Sequence, residues 1–200
     1  MTDTPAKPSN WNLPNAITIV RILFAPAFLW LLLADGGADG PQRWISGALF
    51  AIGIATDGID GWIARSRGLV TELGKLLDPI ADKVLTGAAL VGLSIVGDLW
   101  WWVTIVILVR EIGITVYRFA VIRDGVIPAS RGGKLKTLFQ GLAISLALLP
   151  FWTLLGDWVH WVNGILMAIA FVLTVLSGLD YAWNAVKLHR RAAGEGHADV

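Results

Sequence analysis

The sequence contains no cysteine, which excludes disulfides and thiolate metal sites and leaves the redox compartment open. Charge is scarce too: Asp, Glu, Lys and Arg make up 16% of the 200 residues, against about 25% in an average soluble domain. The net charge of +1 gives no basic footprint, so no nucleic-acid partner is expected. Residues 1–15 are polar and bear proline. They lack the basic segment, short apolar stretch and small-residue cleavage site of a signal peptide. No strong internal repeat and no separate soluble domain can be drawn.

What is present is apolar sequence: 56% hydrophobic residues and a mean hydropathy of +0.66. Six apolar stretches stand at roughly 16–34, 44–65, 76–97, 99–122, 135–155 and 158–186, each near the ~20 residues a membrane-spanning helix needs. The second and third reach that length only with their Asp-bearing ends, which must then face protein or water rather than lipid. The predicted fold is all-α: a polytopic membrane protein with a juxtamembrane segment (1–15), six transmembrane helices (16–188) and a flexible tail (189–200).

Lysine and arginine set the expected orientation. Lys7, the segment with Arg65, Arg67 and Lys75, the segment with Arg123, Arg131, Lys134 and Lys136, and the tail with Lys187, Arg190 and Arg191 fall on one side, and only Arg43 on the other. The positive-inside rule puts the richer side, with both termini, in the cytoplasm. Trp30, Trp44, Trp100, Trp101, Trp102, Trp152, Trp158 and Trp161 fall near the opposite loops, as interfacial tryptophans do. Asp35, Asp39, Asp98 and Asp157 on that side read as solvated loop residues.

Against this background Asp57, Asp60, Asp78 and Asp82 stand out, four carboxylates within 26 residues. Asp57 and Asp60 are three apart and Asp78 and Asp82 four apart, so each pair shares a helix face. Two consecutive helices joined by a short loop run antiparallel and can bring the pairs together. Clustered carboxylates repel unless cations compensate them, and oxygen-only ligands favour Mg²⁺, Mn²⁺ or Ca²⁺. Two such ions could clamp a diphosphate. Spacing alone also admits a proton or cation path of a transporter. Gly58 and Gly61 leave room for a ligand or a neighbouring helix.

The pattern Asp57-x2-Asp60-Gly61-x2-Ala64-Arg65-x8-Gly74-x3-Asp78-x3-Asp82 resembles, without departure, the signature of the CDP-alcohol phosphotransferase family. The six-helix layout resembles that family along nearly the whole chain. The resemblance implies displacement of CMP from a CDP-linked lipid or alcohol by a hydroxyl nucleophile, and a homodimer. Asp57, Asp60, Asp78 and Asp82 are then ligands of a two-metal site holding Mg²⁺ or Mn²⁺. Asp82 is also the general base, and Gly61, Arg65 and Thr71 contact the CDP-lipid. Thr71 reads equally as a helix cap.

Asn15, Thr18 and Arg21 recur every third residue and make a polar arc of about 120° on a helix. The arc is expected to face the nucleotide, with snorkelling or capping as the alternative. Arg110, Glu111 and Arg118 lie in the fourth stretch, where one arginine can neutralise Glu111. Arg110, Arg118, Lys134 and Lys136 suit an acceptor that itself carries a phosphate, whereas Arg123, Arg131 and Lys136 also fit contact with anionic lipid.

Three segments resemble the bacterial phosphatidylglycerophosphate synthase branch of the family: Asn12-Leu-Pro-Asn15-Ala-Ile-Thr18-Ile-Val-Arg21, Arg110-Glu-Ile-Gly-Ile-Thr115 and Gly133-Lys-Leu-Lys-Thr137. That resemblance implies CDP-diacylglycerol as donor and glycerol 3-phosphate as acceptor, at the cytoplasmic face of a bacterial plasma (inner) membrane. Acceptors of other branches, phosphatidylglycerol for a cardiolipin synthase or inositol phosphate, are the alternatives. Gly87, Gly92 and Gly97 are candidates for close helix packing.

Overall fold

The computed structural model describes residues 9, 11–121 and 131–195, with side chains over 9, 11–117 and 135–183. The described residues form seven helices and no strand: α1 (Leu13–Ala34), α2 (Pro41–Ser66), α3 (Glu72–Ile95), α4 (Trp101–Val121), α5 (Arg131–Leu148), the four-residue α6 (Trp152–Leu155) and α7 (Trp158–Glu195). Among them Leu13–Ala34, Pro41–Ser66 and the Trp158–Trp183 part of α7 are long and apolar enough to cross a membrane. Leu135–Leu148 is a shorter apolar run, while α3 carries Glu72, Lys75, Asp78, Asp82 and Lys83, and α4 carries Arg110, Glu111 and Arg118.

Local sequence sets the helix boundaries. The Asn12 side chain accepts from the Asn15 N–H at 3.0 Å, and a proline in the first turn has no N–H to leave unsatisfied. α2 likewise opens on Pro41 after Gly40. α3 is capped by Thr71, whose hydroxyl accepts from the Gly74 N–H at 3.0 Å. The chain leaves α3 through Gly97 at φ +88°, a left-handed conformation that glycine adopts without penalty. Gly97 is thus a terminator with open space around it, not a packing residue. Gly92 does pack closely, against Leu29 and Leu32, and Gly87 more loosely against Leu108.

Several boundaries differ from the apolar stretches. The fifth stretch, drawn to residue 155, is broken: α5 ends at Leu148 because Pro150 cannot continue the helix, and α6 is a separate turn. α1 begins at Leu13, inside the segment assigned to 1–15, and α7 continues past residue 189 to Glu195. Residues 1–8, 10 and 122–130, including Lys7 and Arg123, lie outside the described residues.

The core is drawn from all six long helices, among others Phe28 and Leu32 of α1, Phe50 of α2, Leu85 and Leu93 of α3, Ile107 of α4, Ile144 and Leu148 of α5, and Met167 of α7. Phe28 and Phe50 meet edge to face with centroids 5.7 Å apart. The helices alternate in direction. The start of α1 bonds to the end of α2 and the start of α3, whereas the start of α2 bonds to the ends of α3 and α5.

Arg43 closes the second of these ends. It is buried, donates to the carbonyls of Gly37 (2.6 Å), Ala147 (2.8 Å) and Leu148 (3.3 Å), pairs with Asp98, and lies 4.8 Å from the Trp152 ring centroid. Asp39 accepts from the Trp152 indole at 2.8 Å. Asp39 and Asp98 are therefore partners of a buried guanidinium system rather than merely solvated, because a buried arginine needs acceptors. Trp30, Trp100, Trp101, Trp102, Trp158 and Trp161 are exposed at this same end.

Candidate active site

At the opposite end, the arc on α1 turns toward the aspartates. Arg21 is 1% exposed and bridges two carboxylates of α2, with Nη1 2.5 Å from Asp57 Oδ1 and Nη2 on Asp60 Oδ2. One turn earlier, the Thr18 hydroxyl lies 3.0 Å from Asp78 Oδ1 on α3 and 3.5 Å from Asp60 Oδ2. Three helices thus meet through one guanidinium and one hydroxyl. Asp60 is buried, while the Asp57 side chain is 52% exposed. Asp57 lies within electrostatic reach of Asp78 and Asp82, and Asp60 within reach of Asp57 and Asp78.

Asn15 completes the arc one turn before Thr18. Its amide donates to the Thr71 hydroxyl at 2.9 Å, and Gly74 leaves the space: a Cβ there would stand 2.7 Å from Asn15 Oδ1. Thr71 is accordingly a buried cap locked to α1. Gly58 has nothing within 4 Å of a notional Cβ, so it faces open space rather than a packed helix. Arg65 is exposed and folds back over Gly61, and among the described residues it forms no ion pair.

A second cluster lies beside the first. Glu111 of α4 is buried and receives three cations: Lys83 of α3 at 2.5 Å, Arg110 at 2.8 Å, and the buried Lys136 of α5. Arg110 also donates to Ser177 of α7 at 2.9 Å. Lys83 in turn donates to Asp82 at 2.8 Å, which links the two clusters. An arginine was expected to neutralise Glu111, and Arg110 does pair with it, with Lys83 and Lys136 sharing that task. Lys136 reaches inward to a carboxylate rather than outward to lipid. Lys83, Ser177 and the buried Gln140 escaped the reading of the sequence. The signal for Lys83 was available, since any ionisable residue in an apolar helix deserves a partner. The side chains of Arg118, Arg131 and Lys134 lie outside the described residues, although their backbones belong to α4 and α5.

The aspartate set is all oxygen, the donor chemistry that hard divalent cations take. A guanidinium already sits between Asp57 and Asp60, which marks the place as one that attracts positive charge. As the side chains stand, no three carboxylates among the described residues converge closely enough to hold an ion. A metal there would share or take over oxygens now bonded to Arg21 and Thr18, so the donor set fits a divalent ion once these two contacts loosen. In the second cluster, three cations face one carboxylate. Arg110 Nε is buried without a partner, and of the three Lys136 N–H donors only one is used among the described residues. Those spare donors suit an anion with several acceptor oxygens.

Comparison with known proteins places the chain among related sequences. Residues 11–176 match the profile of the CDP-alcohol phosphatidyltransferase family. A Mycobacterium tuberculosis protein named as a probable phosphatidylglycerophosphate synthase is 49% identical over 176 residues, covering 88% of this chain and 82% of the relative. A Bacillus subtilis CDP-diacylglycerol–glycerol-3-phosphate 3-phosphatidyltransferase is 38% identical over 196 residues, covering 88% and 98%. Among solved structures, the apo form of M. tuberculosis phosphatidylinositol phosphate synthase shares the fold, with a TM-score of 0.58 and 22% identity over 86% of this chain and 90% of that one.

Proposed function

Since the chain belongs to the CDP-alcohol phosphatidyltransferase family, we propose that it is an integral membrane transferase that moves the phosphatidyl group of CDP-diacylglycerol to sn-glycerol 3-phosphate. The products are phosphatidylglycerol phosphate and CMP. The observation that carries this reading is the pair of joined clusters: carboxylates of α2 and α3 gathered by Arg21 and Thr18 of α1, and a group of basic side chains around Glu111 linked to them through Lys83. Relatives bearing these names over most of the chain support the choice of donor and acceptor.

Arg65, exposed beside the aspartates, takes the donor diphosphate through paired N–H groups. Gly58 and Gly61 leave the nearby helix face low enough for the nucleotide to approach. Asp57, Asp60, Asp78 and Asp82 would hold Mg²⁺ or Mn²⁺ in a two-metal site, which supplies positive charge to the diphosphate and to the leaving CMP. The spare donors of Lys136 and Arg110 hold the acceptor phosphate. Asp82 takes the proton from the glycerol C1 hydroxyl, whose oxygen forms a bond to the phosphatidyl phosphorus as the bond to CMP breaks. Positioning and charge stabilisation supply most of the rate, and proton transfer adds about 10²–10⁴-fold.

In this proposal six helices cross a bacterial plasma membrane, both termini and the site face the cytoplasm, and the protein works as a homodimer. CMP release from CDP-diacylglycerol by the purified protein in detergent, with Mg²⁺ or Mn²⁺, tests the reaction. Glycerol 3-phosphate should support release, and inositol phosphate and phosphatidylglycerol should not. Release with either of these but not with glycerol 3-phosphate refutes the acceptor. Asp82→Asn should abolish turnover while keeping much of the CDP-lipid binding, and near-normal turnover refutes its role as base.

A further inference from the structure

Lys83 has no part in the steps above, yet among the described residues it alone bonds to both clusters. Its ammonium donates to Asp82 Oδ2 at 2.8 Å and to Glu111 Oε2 at 2.5 Å. Neighbouring residues on a helix point about 100° apart and do not face each other, so adjacency in sequence does not by itself create the contact with Asp82. Glu111 creates it, by drawing the ammonium across to α4. Glu111 is a fixed anchor: its side chain is 5% exposed and held by Lys136 of α5 and by Arg110, which is itself held by Ser177 of α7.

Asp82 is the mobile member of the chain. Its side chain is 28% exposed, and among the described residues it hydrogen-bonds only to Lys83. Asp57, another carboxylate, is near enough to repel it. Without Lys83 no hydrogen bond from the described residues would fix the Asp82 rotamer, which would then depend on bound metal alone, with a neighbouring carboxylate pushing it away. Lys83 and Glu111 also line an open cleft between α3 and α4, together with Pro79, Thr86, Leu108 and Thr115, so the bridge is not sealed in the apolar core.

We propose that Lys83 is a positioning residue: tethered through Glu111, it holds the Asp82 carboxylate where it meets the acceptor hydroxyl, at a fixed separation from the Lys136 and Arg110 donors that hold the acceptor phosphate. The inference rests on the reaction proposed above, with Asp82 as base. It differs from a plain α3–α4 salt bridge in what its loss does. A salt bridge that only stabilises the bundle changes the amount of folded protein, whereas a positioning residue changes turnover of the folded protein.

The test compares Lys83→Met, Lys83→Arg and Glu111→Gln with the unsubstituted protein, by steady-state CMP release and by thermal melting. A displacement of about 1 Å at a reacting group costs about 10²-fold, so Lys83→Met should lower kcat by about that factor with KM for CDP-diacylglycerol within about threefold. Lys83→Arg, which keeps the charge and the reach, should recover kcat to within about tenfold of the unsubstituted value. Glu111→Gln leaves the lysine but loosens its tether, and should lower kcat in the same direction. Lys83→Gln, which removes the charge and shortens the reach while leaving the Glu111 contacts to Lys136 and Arg110 in place, decides the matter if Lys83→Met does not fold. Unchanged kcat in the folded variants, or a loss that arginine does not recover, overturns the inference. The unsubstituted protein is run with all three acceptors, so a wrong acceptor shows in that arm alone, and the variants are then read with the acceptor that works. Absence of CMP release with every acceptor overturns the reaction and this inference together.

Discussion

Replacing Arg21 with methionine keeps the length of the side chain and removes the cation between Asp57 and Asp60. The consequence can be worked out from burial. The guanidinium is 1% exposed and the Asp60 side chain 3%, so Asp60 would be left as a buried charge without its counter-ion. Breaking a buried pair from one side costs about 3–5 kcal/mol. Asp57, half exposed, can turn to solvent and adds little. The lower end applies, about 3 kcal/mol, which for a chain of this size shifts the melting temperature by about 6–12 °C.

The assay is thermal melting in detergent with a chelator present, followed by titration of Mg²⁺ or Mn²⁺. A divalent cation supplies the missing positive charge, so it should stabilise Arg21→Met more than the unsubstituted protein. Adding Asp60→Asn to Arg21→Met should recover stability too, because it removes the uncompensated charge. The two substitutions are then strongly non-additive. Melting of Arg21→Met at the unsubstituted temperature in chelator, with an additive double variant, would refute the assignment of Arg21 as counter-ion.

Three further outcomes follow from other contacts. Arg43→Met strips the opposite end of its buried hub and should lower stability by about 3–5 kcal/mol in denaturant titrations, while kcat per folded molecule stays unchanged. Gly74→Ala puts a methyl against Asn15 Oδ1 and should lower the melting point by the equivalent of about 1–3 kcal/mol, since α1 and α3 must part to accept it. Arg65→Met should leave melting unchanged, because the guanidinium is exposed and forms no ion pair among the described residues. It should raise KM for CDP-diacylglycerol by about tenfold or more, and an unchanged KM would remove Arg65 from the donor site.

The helices were legible in the sequence because apolar runs supply their length. Their starts are written locally too, in Asn12 before Pro14, Gly40 before Pro41 and Thr71 before Gly74, but the apolar stretches begin only at 16, 44 and 76 because the capping turns are polar. The end of α5 at Leu148 was also written locally, in Pro150, but an apolar run that continues past a proline conceals it. The aspartate pattern was legible for a different reason: its spacing is fixed within one hairpin of helices.

Partnerships across the chain were not legible. Arg21 meets residues 36 and 39 positions away, and Lys136 meets Glu111 across 25. Periodicity assigns each a face but not the element that covers it. The arc of Asn15, Thr18 and Arg21 was expected to face a nucleotide, and in the structure it is bonded to Thr71, Asp78, Asp60 and Asp57. Arg43 looked like a stray charge on a tryptophan-rich side, and only the fold reveals the carbonyls it satisfies.

The distribution of the scarce charges carries a further argument. At the first cluster Arg21 pairs with Asp57 and Asp60 while Asp78 is met only by the neutral Thr18 hydroxyl among the described residues, which leaves an excess of negative charge. At the second, three cations face Glu111, which leaves an excess of positive charge. Each excess is expensive inside an apolar bundle, and each would cancel the other if the two clusters merged. Among the described residues they touch only through Lys83, which bonds one carboxylate from each side. A bundle selected for stability alone would pair these groups fully. In the proposed reaction, opposite excesses kept adjacent but separate would leave one place for divalent cations with a diphosphate and another for a phosphate dianion, and the hydroxyl to be deprotonated would lie between them, beside Asp82.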